Sequence, residues 1–142
     1  MTDSARIDTR FGSFAVERDR VVVVPAGLPG FEHCRRFVII TAPVLDPLTC
    51  LQGLDDSRPT FLAVDPRLVV PDYHVDLADA DRRRLGARDG APLVWLAVVR
   101  LESDAAIVNL RAPVVVNPEL MLGMQLVPAE SPYAIDTRLA LD

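Results

Sequence analysis

Asp65, Asp72, His74 and Asp76 come closest to a reactive constellation in this 142-residue chain. Alternate positions of an extended segment point to one face, so Asp72, His74 and Asp76 would gather two carboxylates and an imidazole on one side. Such a set is able to hold a divalent metal with positions left open to water, the arrangement of a small metal-dependent hydrolase or lyase. Pro66 and Pro71 interrupt the segment, however, and no second cluster of His or Asp obviously completes a shell. The alternative is a solvated or partner-facing loop with no metal.

Other chemistries find less. Serines 4, 13, 57, 103 and 131 lie in no nucleophile-elbow context, and only His33 and His74 are available as a base. The stretch Gly27-Leu28-Pro29-Gly30 has neither the GxxxxGK[ST] nor the GxGxxG pattern of a phosphate loop and reads as a turn, with Pro29 fixing φ and Gly30 free to adopt a positive one. Cys34 and Cys50 form no CxxC pair and are expected to be reduced, inert thiols. The chain is therefore expected to be no enzyme and to carry no cofactor. Trp95 alternates with Leu93 and Ala97, which makes it a core aromatic. Tyr73 and Tyr133 flank prolines in turn-like segments; each is either an interface aromatic or a hydroxyl bonded to a loop carbonyl.

Charge points toward protein partners. The formal net charge is −5, and from Thr41 to Asp81 two arginines face eight aspartates, so the middle third holds the whole acidic excess. An acidic face repels phosphate backbones and favours basic partners, unless it is only a solubilising surface. Direct nucleic-acid binding is not expected. Met1 to Arg10 is interrupted by Asp3, Arg6, Asp8 and Arg10, and Leu93 to Val99 is far too short for a membrane helix, so the expected location is the cytosol, away from membranes.

The elements that must position these residues read mostly as strands. Short β-branched or apolar runs bounded by Pro, Gly, Asp and Asn fall at Arg10–Val16, Arg20–Val24, Phe37–Thr41, Leu48–Leu54, Thr60–Val64, Pro92–Leu101, Ile107–Leu110, Val114–Val116, Met124–Val127 and Tyr133–Asp136. About ten strands suffice for a barrel or sandwich, and nearly all twelve prolines lie between the runs, where a missing N–H costs a ladder nothing. Only Asp79–Leu85 looks helical, with Asp79 as cap and Gly86 as stop. The expectation is one mostly β domain over residues 1–142, a small closed or partly open β-barrel with one short helix.

An ordered string of motifs adds a family. Gly27-Leu28-Pro29-Gly30-Phe31-Glu32, Leu51-Gln52 with Asp55-Asp56, Ala63-Val64-Asp65-Pro66, Pro71-Asp72-Tyr73, Asn109 to Asn117, and Gly123-Met124-Gln125 together resemble the flagellar assembly factor FliW family over roughly Phe11 to Tyr133. The resemblance implies a β-barrel-like protein that binds flagellin and the dimeric RNA-binding repressor CsrA, and so couples flagellin synthesis to export. Asp55, Asp56, Asp72, Tyr73, His74 and Asn109 are the expected partner-binding positions. The chain departs from the pattern at His74, where Glu is expected, at Gly53, where Ser is frequent, and at Ser57, which replaces a common Pro.

Overall fold

Strands whose residues are apolar on both faces need cover on both faces, and a closed sheet with elements wrapped around it provides that. The computed structural model describes residues 4–17 and 20–141. Its first two strands, β1 (Ser4–Thr9) and β2 (Gly12–Glu17), form an antiparallel hairpin. Then come β3 (Val21–Val23), β4 (Arg36–Ile40), β5 (Thr49–Gly53), β6 (Thr60–Val64), β7 (Val94–Leu101), β8 (Ala105–Val108), β9 (Val114–Asn117), β10 (Leu122–Gln125) and β11 (Thr137–Ala140). A 3-10 turn at Pro66–Leu68 and the helix α1 (Asp79–Arg84) lie between β6 and β7.

Strands β3 to β7 pair in sequence as an antiparallel meander, β7 pairs with β9, β9 with β10, and β10 returns to β3, closing a seven-stranded barrel. Strand β7 divides one edge between two partners. Val94–Leu96 pairs with β9 to close the ring, while Val99–Leu101 pairs with β8, which carries β11 as an outer flap. The last seam is the thinnest: β3 and β10 run parallel and pair only through Val23 and Leu122.

The period of two in the side chains sorts residues to the two faces of the wall. Val22, Phe37, Leu51, Ala63, Leu96, Val114 and Val116 form the interior cluster. Their neighbours Val38, Ile40, Cys50, Leu62, Val64, Ala97 and Val99 face outward into a second core, capped by Ile7 and Phe14 of the hairpin, by Tyr73 and by Leu139 of β11. A third cluster joins Val115 and Leu126 to Leu85 at the end of α1. Cys34 and Cys50 are both buried and free of disulfides, and burial pushes the Cys50 thiol pKa up.

Several element boundaries differ from the sequence reading. Residues 4–9, expected to be no strand, form β1, which begins the hairpin that continues through Gly12. Tyr133–Asp136 is irregular and the strand follows at Thr137–Ala140, while β10 starts at Leu122, two residues before the expected run. Helix α1 is capped by the backbone of Ala78 without any side-chain bond, and Asp79 lies inside the first turn, where it complements the dipole. Gly86 ends the helix at φ +62°, as a stop residue should.

Candidate functional site

Prolines at 66 and 71 end regular structure after β6, and the chain crosses the outer core as an extended strap toward α1. Alternation along that strap sends Tyr73 inward while Asp72, His74 and Asp76 stay exposed. The Tyr73 ring is 7% accessible, its hydroxyl donates to the Leu110 carbonyl at 2.7 Å, and it packs at a tilt on Tyr133 with centroids 4.4 Å apart. Burial pushes the Tyr73 hydroxyl pKa up to about 12. The Tyr133 hydroxyl accepts the His74 N–H at 3.0 Å and donates to the His74 carbonyl at 3.3 Å, so both tyrosines fasten the strap.

With its backbone fixed, His74 turns its ring outward and sets Nε2 2.6 Å from Asp76 Oδ1. Both side chains are largely exposed. They border a cleft of about 290 Å³ whose other walls include Arg67, Arg82, Leu93 and Trp95. Trp95 is half-buried and packs against both outer clusters, in keeping with a core role. Asp65 instead caps the 3-10 turn, accepting the Arg67 N–H at 2.9 Å. Among the described residues no three His, Cys, Asp or Glu side chains are placed to hold a metal.

Asp55 and Asn109 turn out to shape loops. One Asp55 oxygen accepts the backbone N–H groups of Arg35 and Arg36 at 3.1 and 3.0 Å, and the other accepts Arg36 Nε and Nη2 at 3.0 and 2.7 Å. These bonds tie the loop after β5 to the start of β4. The hydrogen-bonded Arg36 guanidinium is the main reason the Asp55 carboxyl is held below the ordinary aspartate range, helped by the two backbone donors. A carboxylate with a depressed pKa contributes stability above its unfolded value and loses it as pH falls through the folded value. We therefore expect Asp55→Asn to lower the urea midpoint at neutral pH, with the deficit shrinking below about pH 4; an equal deficit at all pH values would contradict this role. Asn109 Oδ1 accepts the N–H groups of Arg111 and Ala112 at 3.1 and 3.2 Å, closing the turn before β9. Asp56 is exposed at φ +47° in the turn beside Asp55.

The sequence reading passed over two further features. Asn117 is buried, its Nδ2 donates to the Leu85 carbonyl at 2.8 Å and its Oδ1 accepts the Glu119 N–H at 3.1 Å, which satisfies the end of α1 and locks it to β9. The Asn-Pro pair at 117 and 118 was its signal in the sequence. The second is a largely apolar groove of about 700 Å³ between the Gly27–Glu32 turn and β10, bordered by Pro25, Ala26, Pro29, Glu32, Arg84 and Met124. At Arg84 and Met124 it meets a further recess of about 480 Å³ that reaches Asp76, Asp81, Val127 and Pro128. Gly27 makes the turn possible: at φ +66°, an added Cβ would lie 2.6 Å from Glu32 Cα.

Comparison with known proteins places this geometry in context. The model of a family described as FliW protein matches residues 6–139. The chain is 37% identical over 127 residues to a flagellar assembly factor FliW of Geobacter sulfurreducens, covering 88% of this chain and 79% of the relative. It is 28% identical over 138 residues to a protein of the same name from Thermosipho africanus, covering 95% of each. A crystal structure of the flagellar assembly factor FliW superposes with a TM-score of 0.85 at 24% identity, covering 97% of this chain and 99% of that one, a likeness of fold.

Proposed function

Because this chain belongs to the FliW family, we propose that it is a non-catalytic flagellar assembly factor that binds flagellin and, in alternation with it, a CsrA-type RNA-binding regulator. The observation that carries the proposal is the family match over residues 6–139, nearly all of the chain. The surface is compatible with such a role. Asp72, His74 and Asp76 present a solvent-exposed edge, Asp56 adds a free carboxylate on another loop, and apolar recesses flank α1. Exposed carboxylates steer a basic partner at low salt without holding it tightly, and an apolar recess offers contact area to a segment that orders on binding. No helix among the described residues is long and apolar enough to cross a membrane.

Alternation follows if the two clients share a surface or couple negatively, and linkage makes the effect reciprocal. A client that is disordered before assembly spends on the order of 2–5 kcal/mol on ordering, which keeps its capture reversible. Titrating a C-terminal fragment of the flagellin from the same genome into a preformed complex with the CsrA-type regulator is expected to release the regulator, read by size-exclusion chromatography with light scattering. A ternary complex with both affinities unchanged would overturn the alternation. Asp56→Asn with Asp72→Asn is the informative variant for steering, since neither carboxylate takes part in a hydrogen bond of the described residues, whereas Asp55 holds a loop.

A further inference from the structure

The turn that ends β3 leaves half of β10 without a neighbour. Gly27 donates its N–H to the Val24 carbonyl at 2.8 Å, and Pro25 has no N–H to continue a ladder. The chain therefore bends away after Val24, and β10 keeps only the Leu122 pairing on that side while all four of its residues pair with β9.

Which backbone groups this leaves free follows from the antiparallel ladder. Leu126 donates its N–H to the Pro113 carbonyl at 2.9 Å, so Leu126 and, by alternation, Met124 and Leu122 direct their N–H and C=O groups toward β9. Gly123 and Gln125 direct theirs the other way. On that side Val23 donates to the Met121 carbonyl at 2.9 Å, the parallel bridge that also takes up the Gly123 N–H. The Gly123 carbonyl and both backbone groups of Gln125 have no partner among the described residues, and they face the groove bordered by Pro25, Ala26 and Pro29. An open donor and two open acceptors beside an apolar channel specify an extended chain, since a helix satisfies its own backbone. Charge along the channel is mixed: Glu32 stands at the turn end, Arg84 where the two recesses meet, and Asp76 and Asp81 beyond it.

We propose that the groove beside β10 is the docking site for an extended segment of a protein client, which adds as a strand along Gly123–Gln125, places apolar side chains against Pro25, Ala26 and Met124, and carries a cation toward Asp76 and Asp81. This rests on the reading of the chain as a factor that binds protein clients and names where and how one of them is held.

The test separates backbone from side chain at one position. Gln125→Pro removes the groove-facing N–H and the side chain, whose Nε2 donates to the Ala112 carbonyl at 3.0 Å, but no backbone bond between β9 and β10, while Gln125→Ala loses the same side-chain bond and keeps the N–H. Ala26→Trp fills the channel from an exposed position on the opposite wall. Binding is measured by calorimetry with flagellin and with the CsrA-type regulator of the same genome as the two probes, and amide exchange is followed at Gln125. For at least one probe, Gln125→Pro and Ala26→Trp are expected to weaken binding by about tenfold or more, Gln125→Ala by no more than about threefold, and the Gln125 amide is expected to become protected in the wild-type complex. Full affinity in Gln125→Pro and Ala26→Trp, or a Gln125 amide that exchanges as fast in the complex as alone, overturns the groove while leaving the client reading intact. Failure of the unsubstituted protein to bind either probe overturns both.

Discussion

Truncating Phe37 to Ala is expected to lower the unfolding free energy by about 3–5 kcal/mol, enough to remove a large part of the stability of a domain this size. Phe37 is completely inaccessible and belongs to the cluster that fills the barrel, where it meets Phe61 with ring centroids 6.4 Å apart. Strands β3, β4, β5, β6, β7 and β9 all contribute to that cluster, so no single neighbour can swing in to refill the space. Unfolding in urea followed by Trp95 fluorescence measures the effect. A loss below about 1 kcal/mol would mean that the wall collapses freely around the gap, contrary to a closed ring.

A comparable loss, about 3–5 kcal/mol, is expected for Tyr73→Ala, but Tyr73→Phe should behave differently. Phenylalanine keeps the ring on Tyr133 and in the outer core and leaves only the Leu110 carbonyl without its donor, a cost of about 1–2 kcal/mol. Alkaline titration offers a second check on the same hydroxyl. Its pKa is about 12 in the folded state against an ordinary 10, so the folded protein holds this proton where the unfolded chain has lost it, and stability falls as pH rises between those values. Tyr73→Phe should remove that component of the alkaline loss. If the wild type and Tyr73→Phe decline in parallel, the hydroxyl is not the group responsible.

The architecture was legible in the sequence where a residue's neighbours along the chain decide its state. Runs such as Arg20–Val24 and Thr60–Val64 are rich in β-branched or apolar residues and bounded by turn formers, and they contain β3 and β6. The signal for β1 is weak because Ala5 and Ile7, alternating with Arg6 and Asp8, are the strand's two apolar residues; its burial comes from packing Ile7, with Phe14 of its partner strand, onto the outer core. Tyr133 carries strand-like character in isolation, yet its ring and hydroxyl are committed to the strap around Tyr73 and His74. The same division holds for the site. Exposure of Asp72, His74 and Asp76 follows from alternation and was readable. The fixing of Asp55 by backbone groups of Arg35 and Arg36 joins positions about 20 apart and has no local signature. Asn109 bonds only two and three residues ahead, just before Pro113, so its turn-forming role was open to a closer reading. The groove beside β10 was not readable, because it arises from a pairing that stops short.

That abbreviated seam between β3 and β10 bears on how the molecule comes apart and together. Val23 and Leu122 stand about 100 positions apart, so their contact demands the longest loop closure in the ring, while every other seam is zipped by several pairs. During synthesis the meander from β3 to β7 is complete well before β10 leaves the ribosome, and the interior face waits as an open apolar trough until the last sixth of the chain arrives. In the finished protein the order reverses. The seam formed last and held by least is the one where native-state fluctuations first part the wall, with a free energy well below that of global unfolding.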